Sequence, residues 1–473
     1  MLPTQVNYEI WPVIVPAGKK TEMTIAPASR AFLLFEDKEY TVKIIDVDGD
    51  EPNYRVPTVF DSFTAVAHDG VIKFDYDFEG EQEHLVLLYN GDKLLREMSV
   101  YSLEEDLYAL TPLRGDFHGH SYRSDGKHDP ADVASHYREQ GYDFFTLTDH
   151  NRYYPGGEID EVYEGVKLGI TRVYGEELHT PETALHIVHA GGHHSVTKQY
   201  CENIEKYRSE VEECAKRVPE NIPEQYRERY AMAIWSVEKI HEAGGIAIFA
   251  HPFWKPGASK MHNVQAKLAR IFLGSGLFDA YELIGGMKQP DNNRSVALWA
   301  EMRAENGLKI PVVGSSDVHS MENVITFPDY FTICFAEANE NDALIDAVKK
   351  FNSVAVEAKG TDYERRYRAY GSYRLVTYAQ FLLNNYFPRL QRICQGEGVA
   401  MRAYAIGAAD AALIEAQVKQ TEFFKARFFG KTAPVVPTKR IIDFENKWRE
   451  VQLNGPKTKG SSISTERGIN VQI

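Results

Sequence analysis

Two pairs of side chains, each separated by a single residue, have the chemistry of metal ligands. His118 and His120 stand in the stretch GDFHGHSYRSDG, and Asp317 and His319 stand in GSSDVHS. Residues two apart in an extended segment face the same side, so each pair could reach one ion. Imidazole and carboxylate donors without a thiolate suit Zn, Mn or Fe. One such pair alone is weak evidence, because most of them occur incidentally.

Further candidate ligands stand at the ends of segments that predict β-strands. These segments are GDFH, YDFFTLTDH, RVYGEEL, ALHIVHA, IAIFAHP, FDAYELIG and IPVVGSSD. The candidate ligands are His118, His120, Asp125, His150, Glu177, His186, His251, Asp317 and His319. Nearly all of them fall at carboxyl ends of the segments, where parallel α/β barrels carry their active sites. We therefore predict that they converge on one metal centre.

The elements that must position these side chains divide the chain into three parts. Residues 1–112 predict a β-sandwich, because stretches such as VIKFDYDFEG alternate apolar and charged residues. In residues 113–360 strands alternate with helices, which predicts a parallel α/β barrel or an open doubly wound sheet. An inserted helix, a candidate lid, is expected at about 195–223. Residues 361–473 predict a helical extension of two long helices and a polar tail.

The overall composition limits the classes of partner. The net charge of −15 argues against nucleic acid or an anionic membrane as the main partner, but it does not exclude small phosphorylated substrates. The four cysteines have no CxxC spacing, so neither disulfides nor a thiolate zinc site is expected. No apolar run approaches a membrane span and no signal peptide is evident. We therefore expect a cytoplasmic protein, and leave a homo-oligomer open.

The ordered motifs resemble one family of metal-dependent enzymes. The stretch DFHGHSYRSDGKHDPADVASHYREQGYDFFTLTDHN is similar to the opening signature of the PHP (polymerase and histidinol phosphatase) family. The later GEEL, HIV, FAHP and GSSDVH match its remaining motifs in order. The resemblance covers about residues 114–360, and is greatest to the branch with an N-terminal β-domain. It implies a distorted (β/α)7 barrel that holds two or three divalent metal ions.

The resemblance also implies which side chains share an ion. His118, His120, Glu177 and Asp317 would hold the first metal. Glu177 would bridge to a second metal, held also by His186 and His251, and a third would be held by Asp125, His150 and His319. Asp125 stands where other members often have histidine, so the third site would have an oxygen ligand instead.

Several neighbours of these ligands compete for the same roles. His189 lies three residues from His186, so only one of the two can face the barrel interior, and strand parity with the family match favours His186. Glu176 is the alternative to Glu177, and the family spacing favours Glu177. Asp149 is expected to orient a neighbouring side chain rather than to bind metal.

The expected activity is hydrolysis of a small phosphorylated substrate by a metal-bridging hydroxide, with Asp317, His319 and Glu177 as catalytic residues. Arg123 and Lys255, like Arg152, follow ligand positions closely and could contact the phosphate, although each could equally be a solvated cation. Two alternatives stay open. The same site could cleave a carbamate, an ester or an amide, or the chain could be a metal-binding module without catalysis.

Overall fold

The computed structural model describes residues 7–49, 61–150, 155–181, 183, 185–257, 260–322, 326–360 and 365–454. It is a mixed α/β structure with three sheets. The chain divides into two compact units, one of Met1–Ala109 with Phe423–Ile473 and the other of Leu110–Glu422. No helix within the described residues combines the length and apolar character needed to cross a bilayer. The polar tail after Asn454 and the candidate substrate contact Arg152 lie outside the described residues.

The first unit contains one eight-stranded sheet with the order β1-β3-β6-β5-β4-β7-β8-β2. Its strands are β1 (Tyr8–Trp11), β2 (Ile14–Pro16), β3 (Lys20–Pro27), β4 (Glu39–Asp46), β5 (Asp61–His68), β6 (Val71–Asp77), β7 (Glu83–Asn90) and β8 (Lys93–Leu103). β1 and β2 lie at opposite ends of this order although only two residues separate them, so the sheet must curve back on itself. The alternation expected in β6 is present, with Ile72 buried and Lys73, Asp75 and Asp77 exposed.

The described helices of this unit lie between β3 and β4, after β8 and near the C-terminal end of the chain. They are a 3-10 helix (Arg30–Phe32), α1 (Glu105–Tyr108) and α13 (Lys439–Asn454), whereas the unit boundary falls within α12 (Ala411–Phe428).

The second unit contains a six-stranded and a five-stranded sheet, with the orders β11-β10-β9-β17-β18-β19 and β12-β13-β14-β15-β16. The strands are β9 (Thr111–Asp116), β10 (Phe144–Thr146), β11 (Thr171–Val173), β12 (Gly175–Leu178), β13 (Ile187–Gly191), β14 (Gly245–Phe249), β15 (Ala280–Gly285), β16 (Val312–Ser315), β17 (Tyr330–Ala336), β18 (Ser353–Lys359) and β19 (Arg366–Tyr370). Isolated parallel bridges, Gly119 to Val318 and His150 to Glu177, connect the two sheets.

Helices separate most of these strands. They are α2 (Pro130–Glu139), α3 (Pro155–Val162), α4 (Thr197–Glu202), α5 (Ile204–Ala215), α6 (Glu224–Glu242), α7 (Ala266–Gly274), α8 (Gln289–Asn306), α9 (Asn341–Lys349), α10 (Tyr373–Asn385) and α11 (Phe387–Ala405). α2 begins at Pro130, and Asp129 before it accepts hydrogen bonds from the backbone N–H groups of Ala131 and Asp132. The predicted insertion folds as the two helices α4 and α5.

The expectation of parallel strands throughout is wrong at β13. This strand runs antiparallel to both β12 and β14, whereas β14, β15 and β16 run parallel to one another. The cause is the connection after β12, because the eight residues between Leu178 and Ile187 are too few for a crossover between parallel strands.

The C-terminal region also differs in detail from the sequence prediction. The first of the two long helices expected after residue 360 is instead two helices, α10 and α11, with Tyr386 between them. Pro388 explains the break, because proline lacks an N–H group and is favoured in the first turn of a helix. The Arg- and Tyr-rich stretch before α10 lies within the region expected to be helical. It instead forms β19, which pairs with β18.

Candidate metal centre

The ends of the second unit's strands bring the predicted ligands together. His118 and His120 follow β9, and His150 follows β10. Glu177 lies within β12, and its bridge to His150 aligns the two strand ends. The backbone carbonyl oxygens of Val318 and His118 accept from the N–H groups of His120 and Asp317, at 2.8 and 3.0 Å. These backbone contacts fix the first pair of ligands beside the last.

His186 reaches the same rim by a different route. It does not lie on a strand, as the sequence suggested, but directly before β13. Since β13 runs antiparallel to its neighbours, the residue before its start lies beside the residues that follow their ends. His251 follows β14 and completes this side of the centre.

Four donor atoms face one another at the middle of the centre. Nε2 of His118 lies 3.1 Å from Oε2 of Glu177 and 3.3 Å from Oδ1 of Asp317. Nε2 of His120 lies 3.3 and 3.1 Å from the same two oxygens. The four ligand atoms all lie within 4.8 Å of one another, a spacing that one cation could bridge. Two imidazoles and two carboxylates are a donor set that Zn or Mn accepts.

Glu177 connects this group to a second one. Its other oxygen, Oε1, lies 2.6 Å from Nδ1 of His186 and 3.0 Å from Nε2 of His251. These three residues again have ligand atoms within 4.8 Å of one another. Glu177 is almost completely buried, so a carboxylate has been placed between five imidazoles rather than in solvent.

A third group lies toward the surface. His120, Asp125 and His150 have ligand atoms within the same 4.8 Å limit. Nε2 of His319 lies 3.3 Å from Oδ2 of Asp125, which brings the ninth predicted ligand to this group. The structure thus gathers all nine sequence-predicted side chains into one region of the second unit.

The charges of the cluster favour cations. Burial alone would raise the pKa of Glu177, but His118 and His186 outweigh it and hold that pKa well below its usual range. A hydrogen bond to His319 is the main cause that lowers the pKa of Asp125 to about 2. Burial lowers the pKa of His150 to about 4, which keeps its ring neutral and able to bind metal. Ionised carboxylates are the state that metal coordination requires. Despite burial, the carboxylates of Glu177 and Asp317 raise the pKa values of His118, His120 and His251, so a bound cation would have to displace protons from these rings.

The ring of His118 is oriented by a buried carboxylate. Nδ1–H of His118 donates to Oε2 of Glu282 at 2.9 Å, and neither side chain is exposed. This contact leaves Nε2 of His118 directed at Glu177 and Asp317. The sequence analysis did not identify this role of Glu282; a lone acid within the apolar strand AYELIG was the available signal for it.

We expect Glu282→Ala to weaken metal binding by roughly 10- to 100-fold, because His118 would lose the acceptor that fixes its ring. Glu282→Gln keeps an acceptor and should recover part of the loss. Calorimetric titration of apoprotein with Zn or Mn measures both. An unchanged metal affinity in the alanine variant would show that Glu282 does not position His118.

Asp116 ties together the two strand ends that carry the paired ligands. Its Oδ1 accepts from the backbone N–H groups of His118 and Ser316, at 3.0 and 3.1 Å. Its Oδ2 accepts from the hydroxyl of Tyr137 at 2.9 Å. Burial raises the pKa of Asp116 to about 7 despite these hydrogen bonds. Asp116 was not singled out from the sequence, because its partner Ser316 is 200 residues away.

The backbone around Asp317 is unusual. Asp317 has a φ of 50° and His251 a φ of 20°, backbone values that residues other than glycine rarely adopt. Gly286, after β15, packs so closely that a Cβ there would lie 3.0 Å from Oδ2 of Asp317. Such constraints concentrate where a site must hold side chains in fixed positions.

The alternatives to the predicted ligands, Glu176, His189 and Asp149, contact other partners. Oε1 of Glu176 accepts from Nδ1–H of His189 and from the N–H of Val196, at 3.0 and 2.6 Å. Asp149 accepts from both the N–H and the hydroxyl of Ser121, and so shapes the loop that carries Asp125. None of these side chains belongs to the ligand groups found among the described residues.

Two of the three predicted substrate contacts can be placed. The guanidinium of Arg123 makes two contacts with Glu158, at 2.7 and 2.8 Å. Nζ of Lys255 lies 3.4 Å from Oδ1 of Asp291. Trp254, the neighbour of Lys255, packs against the ring of His186 with 5.7 Å between centroids. The role of both cations in substrate binding stays a prediction.

Comparison with known proteins gives structural similarity only. No protein-family model matches the sequence, and neither does any curated protein. A two-domain protein from Bacteroides vulgatus, described as containing a predicted PHP-like metal-dependent phosphoesterase, matches 52% of this chain at 17% identity, with a TM-score of 0.36. This chain spans 65% of that protein's length.

Two further structures match a smaller part of the chain. A structure assigned as a metal-dependent phosphoesterase from Bifidobacterium adolescentis matches 45% of this chain and 89% of its own, at 15% identity and a TM-score of 0.32. An amidohydrolase from Chromobacterium violaceum, with bound sulfate, matches 44% of this chain and 87% of its own, at 20% identity and a TM-score of 0.29. Two of these three structures are thus described as metal-dependent phosphoesterases, and the third as an amidohydrolase.

Proposed function

We propose that this chain is a metal-dependent hydrolase and that small phosphate esters are its substrates. The observation that carries the proposal is the convergence of nine nitrogen and oxygen donors from distant parts of the sequence. They form three overlapping groups in which ligand atoms lie within bridging distance of a cation. The resemblance of the motifs to PHP-type enzymes supports a phosphate ester over other esters.

Each group has residues that would hold one ion. His118, His120, Glu177 and Asp317 would hold the first, and Glu177 with His186 and His251 the second. Asp125 and His150 would hold a third, together with His120 or His319. Zn, Mn or Fe held there would supply Lewis-acid polarisation of a phosphoryl oxygen and lower the pKa of water toward neutrality.

The protein's own groups hold the ligands and handle protons. Glu282 fixes the tautomer of His118, and the backbone carbonyl of Asp317 accepts from Nδ1–H of His319 at 2.9 Å. That hydrogen bond leaves Nε2 of His319, which lies 3.3 Å from Oδ2 of Asp125, to take or return a proton if His120 rather than His319 completes the third group of ligands. We assign proton transfer to Asp317 and His319, and Glu177, whose two oxygens face different imidazoles, would be the carboxylate that contacts both bound ions.

Substrate would meet cations at the rim. Arg123 and Lys255 are each held by a carboxylate, Glu158 and Asp291, so their positions are restrained before substrate arrives. A phosphate oxygen would compete with those carboxylates for the same N–H donors. Lys255 is joined in the chain to Trp254, which contacts His186, and Arg123 stands two residues before Asp125, so both remain candidates.

The proposed function is tested by assaying metal-reconstituted protein on an aryl phosphate and on the matched aryl carboxylic ester. Hydrolysis of the phosphate with Mn or Zn, and much slower hydrolysis of the carboxylic ester, would support the proposal. Preference for the carboxylic ester, or for a carbamate or amide, would assign the other hydrolase class. Fewer than two metal ions per chain with neither activity would favour a metal-binding module without catalysis.

Removal of metal should lower thermal stability as well as activity. Ions that bind the folded centre and not the unfolded chain stabilise the fold by roughly 2.7 kcal/mol when free metal is 100 times its Kd. We therefore expect a melting temperature several degrees higher with metal than after chelation, measured by scanning calorimetry. If the melting temperature with saturating Mn or Zn equalled that after chelation, the cluster would not bind these metals.

A further inference from the structure

A cavity of about 290 Å³ lies in the second unit, away from the metal centre. Trp299 and Arg303, one turn apart on α8, line it together with Lys309 and Phe351. The cavity also contacts Val312, the first residue of β16, whereas the ligand Asp317 follows the opposite end of that strand. Five residues of extended chain correspond to roughly 15 Å, so the cavity and the metal centre are separate sites.

Phe351 occupies a backbone position that does not suit it. It follows α9 with a φ of 62°, in the left-handed region. The N–H groups of Phe351 and Asn352 donate to the carbonyl oxygens of Val348 and Ala347, the pattern of a helix end that usually has glycine at this position. Nevertheless 48% of Phe351 is exposed, so core packing does not explain an aromatic ring there. A ring held at a conformational cost beside a cavity indicates a role in that cavity.

Two cations border the same space. Cζ of Arg303 lies 4.5 Å from the centroid of the Trp299 ring, which restrains the guanidinium over an aromatic face. Arg303 and Lys309 are both exposed, and neither has an ion pair with any residue that the structure describes. Although the chain has a net charge of −15, the lining of this cavity therefore combines two positive charges with the rings of Trp299 and Phe351.

The base of the cavity is apolar. Leu308 and Ile310 line it and pack against the buried core of the unit, and Val312 beneath them is 4% exposed. The hydroxyl of Ser353, also in the lining, already donates to the carbonyl oxygen of Val312 at 3.0 Å. The lining therefore offers flat apolar surfaces and positive charge, but few neutral hydrogen-bonding groups.

We propose that this cavity binds a planar aromatic anion. The ring system packs against Trp299 and Phe351, and the anionic group contacts the N–H donors of Arg303 and Lys309. The volume lies at the small end of the range for ligand sites, which fits one or two fused rings. The proposal does not rest on the proposed hydrolase activity, because none of these residues belongs to the metal centre.

The test uses 2-naphthalenesulfonate, which has no phosphate ester to hydrolyse, and the neutral naphthalene-2-sulfonamide as its matched control. Calorimetric titration of the full-length, metal-loaded protein should show one sulfonate bound per chain and at least about tenfold weaker binding of the sulfonamide. Arg303→Gln should weaken sulfonate binding about tenfold. Lys267→Gln removes an exposed cation from α7, outside the cavity, and should change nothing.

Phe351→Gly separates a binding role from a structural one. Glycine suits a φ of 62°, so the melting temperature should stay the same or rise, while sulfonate binding should weaken about tenfold. The proposal is overturned if the sulfonate does not bind, or if the sulfonamide binds equally well. It is also overturned if Arg303→Gln and Phe351→Gly leave sulfonate affinity unchanged.

Discussion

Glu177→Gln is expected to release at least one metal ion per chain and to reduce metal-dependent hydrolysis by about a thousandfold or more. Both oxygens of Glu177 face imidazoles, with Oε2 3.1 Å from Nε2 of His118 and Oε1 2.6 Å from Nδ1 of His186. A neutral amide removes the charge that two ions would share, and several kcal/mol of lost stabilisation corresponds to about this factor. Metal content by mass spectrometry and initial rates on an aryl phosphate measure the two effects.

The neighbouring glutamate provides the control. Glu176 is buried on the same strand, but its carboxylate holds Ser195, Val196 and Thr197 of the insertion. Glu176→Gln should therefore keep the full metal content and most of the activity, and stability should fall because a buried acceptor is altered. If Glu177→Gln retained its metals and a rate within tenfold of the unaltered protein, the assignment of the centre would be wrong.

The ligands could be found from the sequence because strand ends follow a simple rule. Apolar segments predict strands, and polar side chains at their carboxyl ends meet on one rim of a parallel sheet. His118, His150 and His251 follow this rule directly. His186 does not follow this rule, since it precedes an antiparallel strand. Strand parity and the family match selected His186, but neither showed that its strand runs antiparallel to its neighbours.

The residues that support the ligands could not be found in the same way. Glu282 orients His118 across 164 residues, and Asp116 holds Ser316 across 200. Such contacts depend on which strands become neighbours, and the sequence shows only what each strand contains. The same reason explains why the carboxylates beside Arg123 and Lys255, Glu158 and Asp291, were not anticipated.

Some elements were missed although the sequence contained their signal. YFTICFA and SVAVEAK are short, apolar and rich in residues that favour strands, and they form β17 and β18. They contain no candidate ligand, so a search led by chemistry passed over them. β17 nevertheless pairs with β9 through Thr332 and Gly115, beside the strand end from which His118 and His120 extend.

A buried ion pair far from the ligands should give the largest effect on stability. Nε of Arg138 on α2 donates to Oε2 of Glu397 on α11 at 2.7 Å, and both side chains are completely buried. The other oxygen of Glu397 accepts from the N–H of Gly169 at 2.6 Å, and Arg138 also donates to the carbonyl oxygen of Tyr142 at 3.0 Å. Removal of the acid would leave the guanidinium buried without its main counter-charge.

We expect Glu397→Gln to lower the free energy of unfolding by about 3–5 kcal/mol, because an uncompensated buried charge costs far more than a lost surface pair. Glu139→Gln is the matched control on the same two helices. Its partner Arg402 is 38% exposed, so the loss should be at most about 1 kcal/mol. Urea unfolding followed by circular dichroism measures both, and equal losses would mean that burial does not set the strength of the Arg138–Glu397 pair.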